Sequence, residues 1–174
     1  DFIVGSCVKW LSGGPGAGFM WVNPDILEYC KPIDVGWFSH EDPFEFKIHN
    51  FLYAKDALRF WGGTPSVHPY LVGFRSLEFI CKIGVDAIRK HNLALTERMI
   101  KNLDEKELIS PSEANHRSGT MIVYFGKDHS RMIKLLIDNH IHFDSRSKGI
   151  RISPHLYNTE IQIDALNLLI NDNR

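Results

Sequence analysis

The last third of the chain alternates between apolar runs and helical segments, and this alternation constrains its fold more than any other feature. Three apolar runs predict strands, and two segments with a helical spacing of apolar residues predict helices. In chain order they are a strand at 120–125, a helix at 130–140, strands at 141–143 and 150–153, and a helix at 158–172. Asn158 or Thr159 would cap the last helix, whose first turn is acidic. Such an alternation predicts a small α/β unit.

The first part of the chain predicts two strands and then a long irregular segment. Apolar runs at 2–8 and 19–22 predict strands, the first of them buried, and the glycine-rich turn SGGPGAG separates them. Residues 31–65 contain three prolines and many aromatic residues, without the periodicity of a helix or strand. Irregular segments of this length are usually functional or covered by a partner.

Two helices follow the irregular segment, and we expect a domain boundary between them. The first spans 66–83, with Ser66 as its N-cap, and the second spans about 85–103. The sequence therefore predicts one domain over 1–83 and a small C-terminal α/β domain over 84–174.

Composition and charge restrict the classes of partner. The 174 residues are 44% hydrophobic, which suits a globular core, and the formal net charge is −1. A chain this close to neutral gives no electrostatic reason to expect a nucleic acid or an anionic membrane as partner. No apolar run approaches the roughly 18 residues of a membrane-spanning helix, and no secretory leader is visible. The three cysteines are widely spaced and form no C-x-x-C pair, so we expect free thiols and a cytoplasmic protein.

The histidines do not have the spacing of metal ligands. His140 and His142 would share one face of a predicted strand, but no third ligand accompanies them at a suitable spacing. We therefore expect no bound metal.

Lys9 stands at the mouth of the first predicted strand, between Val8 and Trp10. Two interpretations are open. A lysine at a strand end usually extends its charge into water. Alternatively, its apolar neighbours partly desolvate it, which favours the uncharged amine that a Schiff base requires. The glycines that follow would let the backbone approach a planar ligand closely.

Arg151 and Trp37 are two further candidates. Arg151, in GIRISPHLYNT, could form an ordinary surface ion pair or bind a carboxylate through both arms of its guanidinium, which would suit an amino-acid substrate. Trp37 lies in a proline-bounded loop, which favours an exposed or interfacial position over a core position.

Four motifs taken together resemble the class V group of fold-type I pyridoxal-phosphate (PLP) enzymes. They are VKWLSGGPG with Lys9, VGWFSHE at 35–41, FWGGTPSV at 60–67 and GIRISPHLYNT at 149–159. Within this group the first two motifs are most similar to kynureninases, whereas the last is shared with cysteine desulfurases. The resemblance runs through the whole chain but covers only the C-terminal half of such an enzyme.

The resemblance implies an α/β fold and PLP as cofactor. Residues 1–83 would be the end of the large mixed-sheet domain, and 84–174 would be the small domain. The upstream half of the large domain would precede Asp1 and would carry the aspartate that pairs with the pyridine nitrogen. The chain by itself is then expected to be inactive.

The resemblance also implies roles for five residues. Lys9 would form the Schiff base with PLP. Trp37 and Thr64 would contact the cofactor phosphate across the interface of a homodimer, with Gly63 beside Thr64 on the same loop. Arg151 would bind the α-carboxylate of a small amino-acid substrate.

The chain departs from kynureninases at Val8, where those enzymes typically carry a tyrosine that serves the phosphate and proton transfer. The reaction implied by the resemblance is the hydrolysis of the Cβ–Cγ bond of kynurenine-type substrates. Two alternatives stay open: another class V reaction, by an aminotransferase, lyase or epimerase, and a truncated non-catalytic relative that only dimerises. Desulfurase chemistry needs a cysteine on a mobile loop. Cys7, Cys30 and Cys81 lie in or beside predicted elements, which argues against that reaction.

Overall fold

The chain divides into two compact units, Asp1–Lys82 and Ile83–Arg174. The structure, a computed structural model, describes residues 1–47 and 49–174. The predicted domain boundary, between residues 83 and 84, lies next to this division. That the first unit is part of a larger cofactor-binding domain stays a prediction.

The first unit begins with a two-stranded antiparallel ribbon. It consists of β1 (Phe2–Ser6) and β2 (Gly18–Val22), which confirms both predicted strands. The expected burial of β1 is wrong, because Ile3 and Val4 are 56% and 72% exposed. Apolar composition predicts that a strand is suited to burial, but a ribbon of two strands has few neighbours to cover its faces.

The irregular segment 31–65 is held together by a buried arginine. Its described residues form two 3-10 turns, Trp37–Ser39 and Ala57–Phe60, and an isolated β-bridge between His40 and Tyr53; α1 (Pro24–Leu27) precedes it. Arg59 is buried and donates hydrogen bonds to the carbonyl oxygens of Ala54 at 2.9 Å and Cys30 at 3.0 Å. These two hydrogen bonds tie the end of the segment to Cys30, the residue just before it, without a sheet.

Helix α2 (His68–Ile83) confirms the first predicted helix. It begins two residues later than expected, so Ser66 does not cap it. Gly73 and Ile80 are its buried residues, whereas Phe74 and Phe79 on the same helix are more than half exposed.

The second unit packs three helices with a three-stranded antiparallel sheet. In chain order its elements are α3 (Val85–Ile100), β3 (Met121–Val123), α4 (His129–Asp138), β4 (Asp144–Arg146), β5 (Gly149–Ile152) and α5 (Glu160–Asn171). The strand order is β3-β5-β4, so β5 is central. The core takes side chains from all three helices and from β3 and β5, among them Leu95, Met99, Met121, Val123, Leu136, Ile150 and Ile170.

The start of α5 follows a local sequence signal. The Thr159 hydroxyl accepts a hydrogen bond from the Gln162 backbone N–H at 3.4 Å, and the Gln162 side chain accepts one from the Thr159 N–H at 3.0 Å. This capping box satisfies two backbone donors at the start of α5 and confirms Thr159 as the cap.

One predicted strand of the second unit is wrong. Residues 141–143, the apolar run IHF, lie outside any strand, and the strand that follows, β4, has the polar sequence DSR. As an edge strand, β4 pairs only with β5 and does not need apolar side chains. His140 and His142 therefore do not share a strand face; His140 adopts a left-handed conformation, with φ of 57°. No helix in the described ranges is long and apolar enough to cross a membrane.

Candidate functional site

Lys9 lies on a closed loop that follows β1. The loop is fastened at its base, where the Cys7 N–H donates to the Ala17 carbonyl at 3.0 Å and the Gly13 N–H donates to the Cys7 carbonyl at 2.7 Å. Within it, the Ser12 N–H donates to the Lys9 carbonyl at 2.8 Å and closes a turn. Backbone hydrogen bonds thus fix the Lys9 main chain, while its side chain is exposed.

The glycine-rich part of this loop packs against helix α2. A Cβ atom on Gly13 would lie 3.1 Å from the Cα of Gly73, and one on Gly16 would lie 3.0 Å from the Pro69 ring. The Ser76 hydroxyl donates a hydrogen bond to the Leu11 carbonyl. The glycines were expected to make room for a ligand. In the structure, Gly13 and Gly16 instead allow close packing against α2, which supports the Lys9 loop.

The expected desolvation of Lys9 is wrong within the described chain. Lys9 is exposed, and its neighbours Val8 and Trp10 are 41% and 39% exposed. The reason lies in the fold, because the residues around Lys9 form a turn at the end of an exposed ribbon rather than the end of a buried strand.

Trp37 and the Gly63–Thr64 pair belong to two loops that touch. A Cβ atom on Gly36 would lie 1.6 Å from the Gly62 carbonyl oxygen, so the two backbones are in direct contact. The Ser39 hydroxyl fastens the contact: it accepts from the Gly36 N–H at 3.1 Å and donates to the Trp61 carbonyl at 2.9 Å. We call this contact between the segments 36–39 and 61–62 the glycine staple.

The two loops joined at the glycine staple carry an exposed aromatic and an exposed polar side chain. Trp37 is 47% exposed and makes edge contacts with Phe38 and Phe44, at 5.3 and 5.9 Å between ring centroids. Thr64 is exposed, and Gly63 has no atom within 4 Å of the position its Cβ would take. An indole N–H and a hydroxyl therefore lie on joined loops, as donors for an anionic group.

The second of these loops also contacts the ribbon of β1 and β2. The Phe2 ring packs edge-on against the Phe60 ring, 5.9 Å between centroids, whereas Lys9 follows the other end of the strand. The structure therefore joins the loop of Trp37 to the loop of Gly63 and Thr64 through the glycine staple. Sequence reasoning did not find Ser39 or the Gly36–Gly62 contact; the signals were a glycine before Trp37 and the Gly62-Gly63 pair.

Arg151 occupies the middle of β5 in the second unit. Its neighbours Ile150 and Ile152 are buried, so alternation along the strand turns Arg151 to the other face of the sheet. There its Nη2 lies 2.9 Å from Asp144 Oδ2. Its Nε is buried and has no hydrogen-bond partner among the residues that the structure describes. Among the described residues, Asp144 thus engages the guanidinium through Nη2 and leaves Nε without an acceptor.

Metal ligands are not grouped in the part of the chain that the structure describes. No cluster of three or more histidine, cysteine, aspartate or glutamate side chains is arranged there to hold a metal ion. The sequence-predicted groups that could hold a ligand are the Lys9 amine, the Trp37 indole and the Thr64 hydroxyl in the first unit, and the Arg151 guanidinium in the second.

Comparison with known proteins gives a consistent family. The sequence model of the family described as Aminotransferase class-V matches residues 1–166. The chain is 29% identical over 161 residues to the "Uncharacterized aminotransferase YcbU" of Bacillus subtilis, covering 92% of this chain and 42% of that protein. It is 31% identical over 157 residues to a kynureninase of Deinococcus radiodurans, covering 86% of this chain and 38% of that enzyme.

A solved structure shows the same fold. The apo cysteine desulfurase of Thermococcus onnurineus NA1 superposes with a TM-score of 0.85 at 20% sequence identity, over 99% of this chain and 46% of that one. This likeness confirms the predicted α/β, fold-type I architecture. The chain spans about two fifths of the length of the curated relatives it matches.

Proposed function

The chain belongs to the class-V aminotransferase family, whose members are PLP-dependent enzymes, and from this premise we propose that the protein is a kynureninase-like hydrolase. Its substrate would be an amino acid of the kynurenine type, cleaved by water between Cβ and Cγ. The Lys9 loop supports the attachment of PLP, because a fixed main chain presents an exposed amine, and the 31% identity to a kynureninase supports the choice of reaction.

The residues of the chain fit PLP. Lys9 would hold the cofactor through Nζ, and Trp37 and Thr64 from the second copy of the chain in a homodimer would donate hydrogen bonds to its phosphate through the indole and the hydroxyl. The glycine staple supports this assignment, because it keeps both donors on joined loops. When bound, the cofactor supplies an electron sink for the bonds at the substrate's α-carbon.

The chain's residues would divide the remaining work. The free amine of Lys9 would accept the proton from the α-carbon and return it. Arg151 would orient the substrate by binding its α-carboxylate; its side chain is 33% exposed, and its buried Nε has no hydrogen-bond partner among the described residues. Hydrolysis adds a hydroxyl group to Cγ and a proton to Cβ, and Val8 cannot donate that proton because its side chain has no titratable group.

The lysine assignment is tested by chemical trapping. The full-length protein, purified with PLP, is reduced with borohydride, digested and mapped by mass spectrometry. We expect the pyridoxyl group on Lys9, its loss in Lys9→Ala, and an unchanged label in the control Lys31→Ala. A label on another lysine of the parent protein would contradict the assignment.

The reaction is tested with kynurenine and 3-hydroxykynurenine. We expect release of an anthranilate-type product from the full-length enzyme. Absence of that product, together with amino transfer to a keto acid, would reject the hydrolase and favour the second candidate, an aminotransferase. Val8 and the similarity to the Bacillus subtilis aminotransferase support that second candidate.

We also propose that the protein is a homodimer whose interface includes the loops of the glycine staple. Exposed aromatic side chains in and just before the irregular segment support this: Tyr29, Phe44 and Phe46 are each at least 66% exposed, and Phe44 contacts Trp37. The double variant Phe44→Ser/Phe46→Ser should weaken the dimer in analytical ultracentrifugation. A parent protein that sediments as a monomer at micromolar concentration while holding PLP would refute the proposal.

A further inference from the structure

We propose that Asp144 competes with the substrate carboxylate for Arg151, and that Arg146 sets how strongly it competes. The inference rests on the proposed role of Arg151 as the carboxylate-binding residue. It adds two specificity-determining positions to that role, both on β4.

The register of the sheet brings the three side chains together. Asp144 on β4 lies directly opposite Arg151 on β5, and Arg146 lies opposite Gly149. Because side chains alternate across a strand, Asp144 and Arg146 share one face, and cross-strand neighbours share it with Arg151. Gly149 has no side chain, so the β5 position opposite Arg146 does not separate Arg146 from the Asp144 carboxylate.

Both arginines contact the same oxygen of Asp144. Arg151 Nη2 lies 2.9 Å from Asp144 Oδ2, and Arg146 Nη2 donates a hydrogen bond to that same atom. Asp144 therefore engages Arg151 through one arm only. A carboxylate prefers two parallel hydrogen bonds to a guanidinium, and this one receives a single contact from Arg151.

The Nε–H of Arg151 lacks a hydrogen-bond acceptor among the described residues. This Nε is buried, and a buried donor left unpaired destabilises the protein. A substrate carboxylate that bound through Nε and Nη2 would satisfy Nε, and it would place a second negative charge on the nitrogen that Asp144 Oδ2 already contacts. The two carboxylates repel each other there, so Asp144 disfavours binding of the ligand unless it moves away.

Arg146 determines how much free energy is needed to move the Asp144 carboxylate away from Arg151. When Asp144 leaves Arg151, it keeps its hydrogen bond to Arg146 and does not become an unpaired carboxylate. Without Arg146, Asp144 would have Arg151 as its remaining cationic contact and would be harder to displace. The side chains of Asp144 and Arg146 are each 47% exposed, so solvent screens the competition and the effect on affinity is moderate.

The test measures binding of propionate labelled with carbon-13 at its carboxylate, a probe without an amino group to react with PLP. The full-length holoenzyme is titrated and Kd is read from the carbon-13 chemical shift. We expect Asp144→Asn to lower Kd by about 3- to 10-fold and Arg146→Gln to raise it by about 2- to 5-fold. Asp138→Asn and Arg131→Gln make the same charge changes on α4, where Asp138 pairs with Lys134 and Arg131 pairs with Asp128, and should change Kd less than twofold.

A double variant separates Arg146's effect on Asp144 from direct attraction of the probe. If Arg146 acts through Asp144, then Arg146→Gln changes Kd less than twofold once Asp144→Asn is present. An equal loss in both backgrounds would overturn the role given to Arg146.

Arg151→Leu distinguishes the inference from the function on which it rests. Weakened propionate binding in Arg151→Leu, with Kd unchanged or raised in Asp144→Asn, overturns the competition and leaves the carboxylate site standing. Unchanged binding in Arg151→Leu overturns the carboxylate site and the competition with it.

Discussion

Replacing Gly36 by alanine should break the glycine staple. The added Cβ would lie 1.6 Å from the Gly62 carbonyl oxygen, whereas a carbon and an oxygen in ordinary contact are separated by about 3.2 Å. The two backbones would have to separate by about 1.6 Å. The hydrogen bond from the Ser39 hydroxyl to the Trp61 carbonyl, now 2.9 Å, would then be lost.

The magnitude follows from these two effects. A lost hydrogen bond costs about 1 kcal/mol, and displacing packed backbone adds about 1–3 kcal/mol. We therefore expect Gly36→Ala to lower the free energy of unfolding by about 2–4 kcal/mol. The change should also weaken PLP binding, because it separates the loops that carry Trp37 and Thr64.

Gly62→Ala provides the matched control. It adds the same methyl group on the other side of the same contact, where no atom lies within 4 Å of the new Cβ. Thermal unfolding of both full-length variants, with and without PLP, gives the comparison. Equal melting temperatures for Gly36→Ala and Gly62→Ala would refute the reasoning.

Three further predictions concern the second unit. Arg151→Leu should raise KM for the amino-acid substrate about 30- to 1,000-fold, since a two-armed contact to a carboxylate contributes about 2–4 kcal/mol; lost stability with unchanged KM would indicate a structural role instead. The hydrogen bonds from Arg98 to Asp164, at 2.5 and 2.7 Å, lower the pKa of the Asp164 carboxyl. This pair therefore stabilises the fold at pH values above the ordinary pKa of the carboxyl, and the stabilisation is lost as the pH falls through the lowered pKa. Asp164→Asn should lose less thermal stability than the parent between pH 6 and pH 3, which circular dichroism can measure. Thr159→Ala removes the cap of α5 and should cost about 1 kcal/mol of unfolding free energy in urea titrations, whereas Thr159→Ser should cost much less.

Features encoded by adjacent residues could be predicted from the sequence. Helix α5 and its cap follow from Thr159, Gln162 and the apolar spacing between them and the end of the chain, all of which are local. Strand β4 was not predicted, because DSR has the composition of a turn and becomes a strand only by pairing with β5. The burial assigned to β1 failed for a related reason: Ile3 and Val4 indicate a strand, but which elements cover it is decided elsewhere.

The candidate site divides in the same way. Lys9, Trp37, Thr64 and Arg151 could be selected because motifs identify them, and their roles stay predictions. What surrounds them depends on distant contacts. Gly36 and Gly62 are separated by 25 residues in the sequence, and no pattern of either segment alone predicts that they touch. Asp144 could not be linked to Arg151 before the register of β4 and β5 was known.

The packing of the Lys9 loop on α2 makes the lysine's position depend on a helix some sixty residues away in the sequence. Gly73 leaves 3.3 Å between the place of its missing Cβ and the Ala17 methyl group, and Gly13 meets the same part of the helix. In evolution, a larger residue at 73 would be tolerated only with compensating changes at 13 or 17, so these positions should covary. In directed evolution, substitutions on α2 could therefore shift the position of Lys9 without changing the residues of the Lys9 motif.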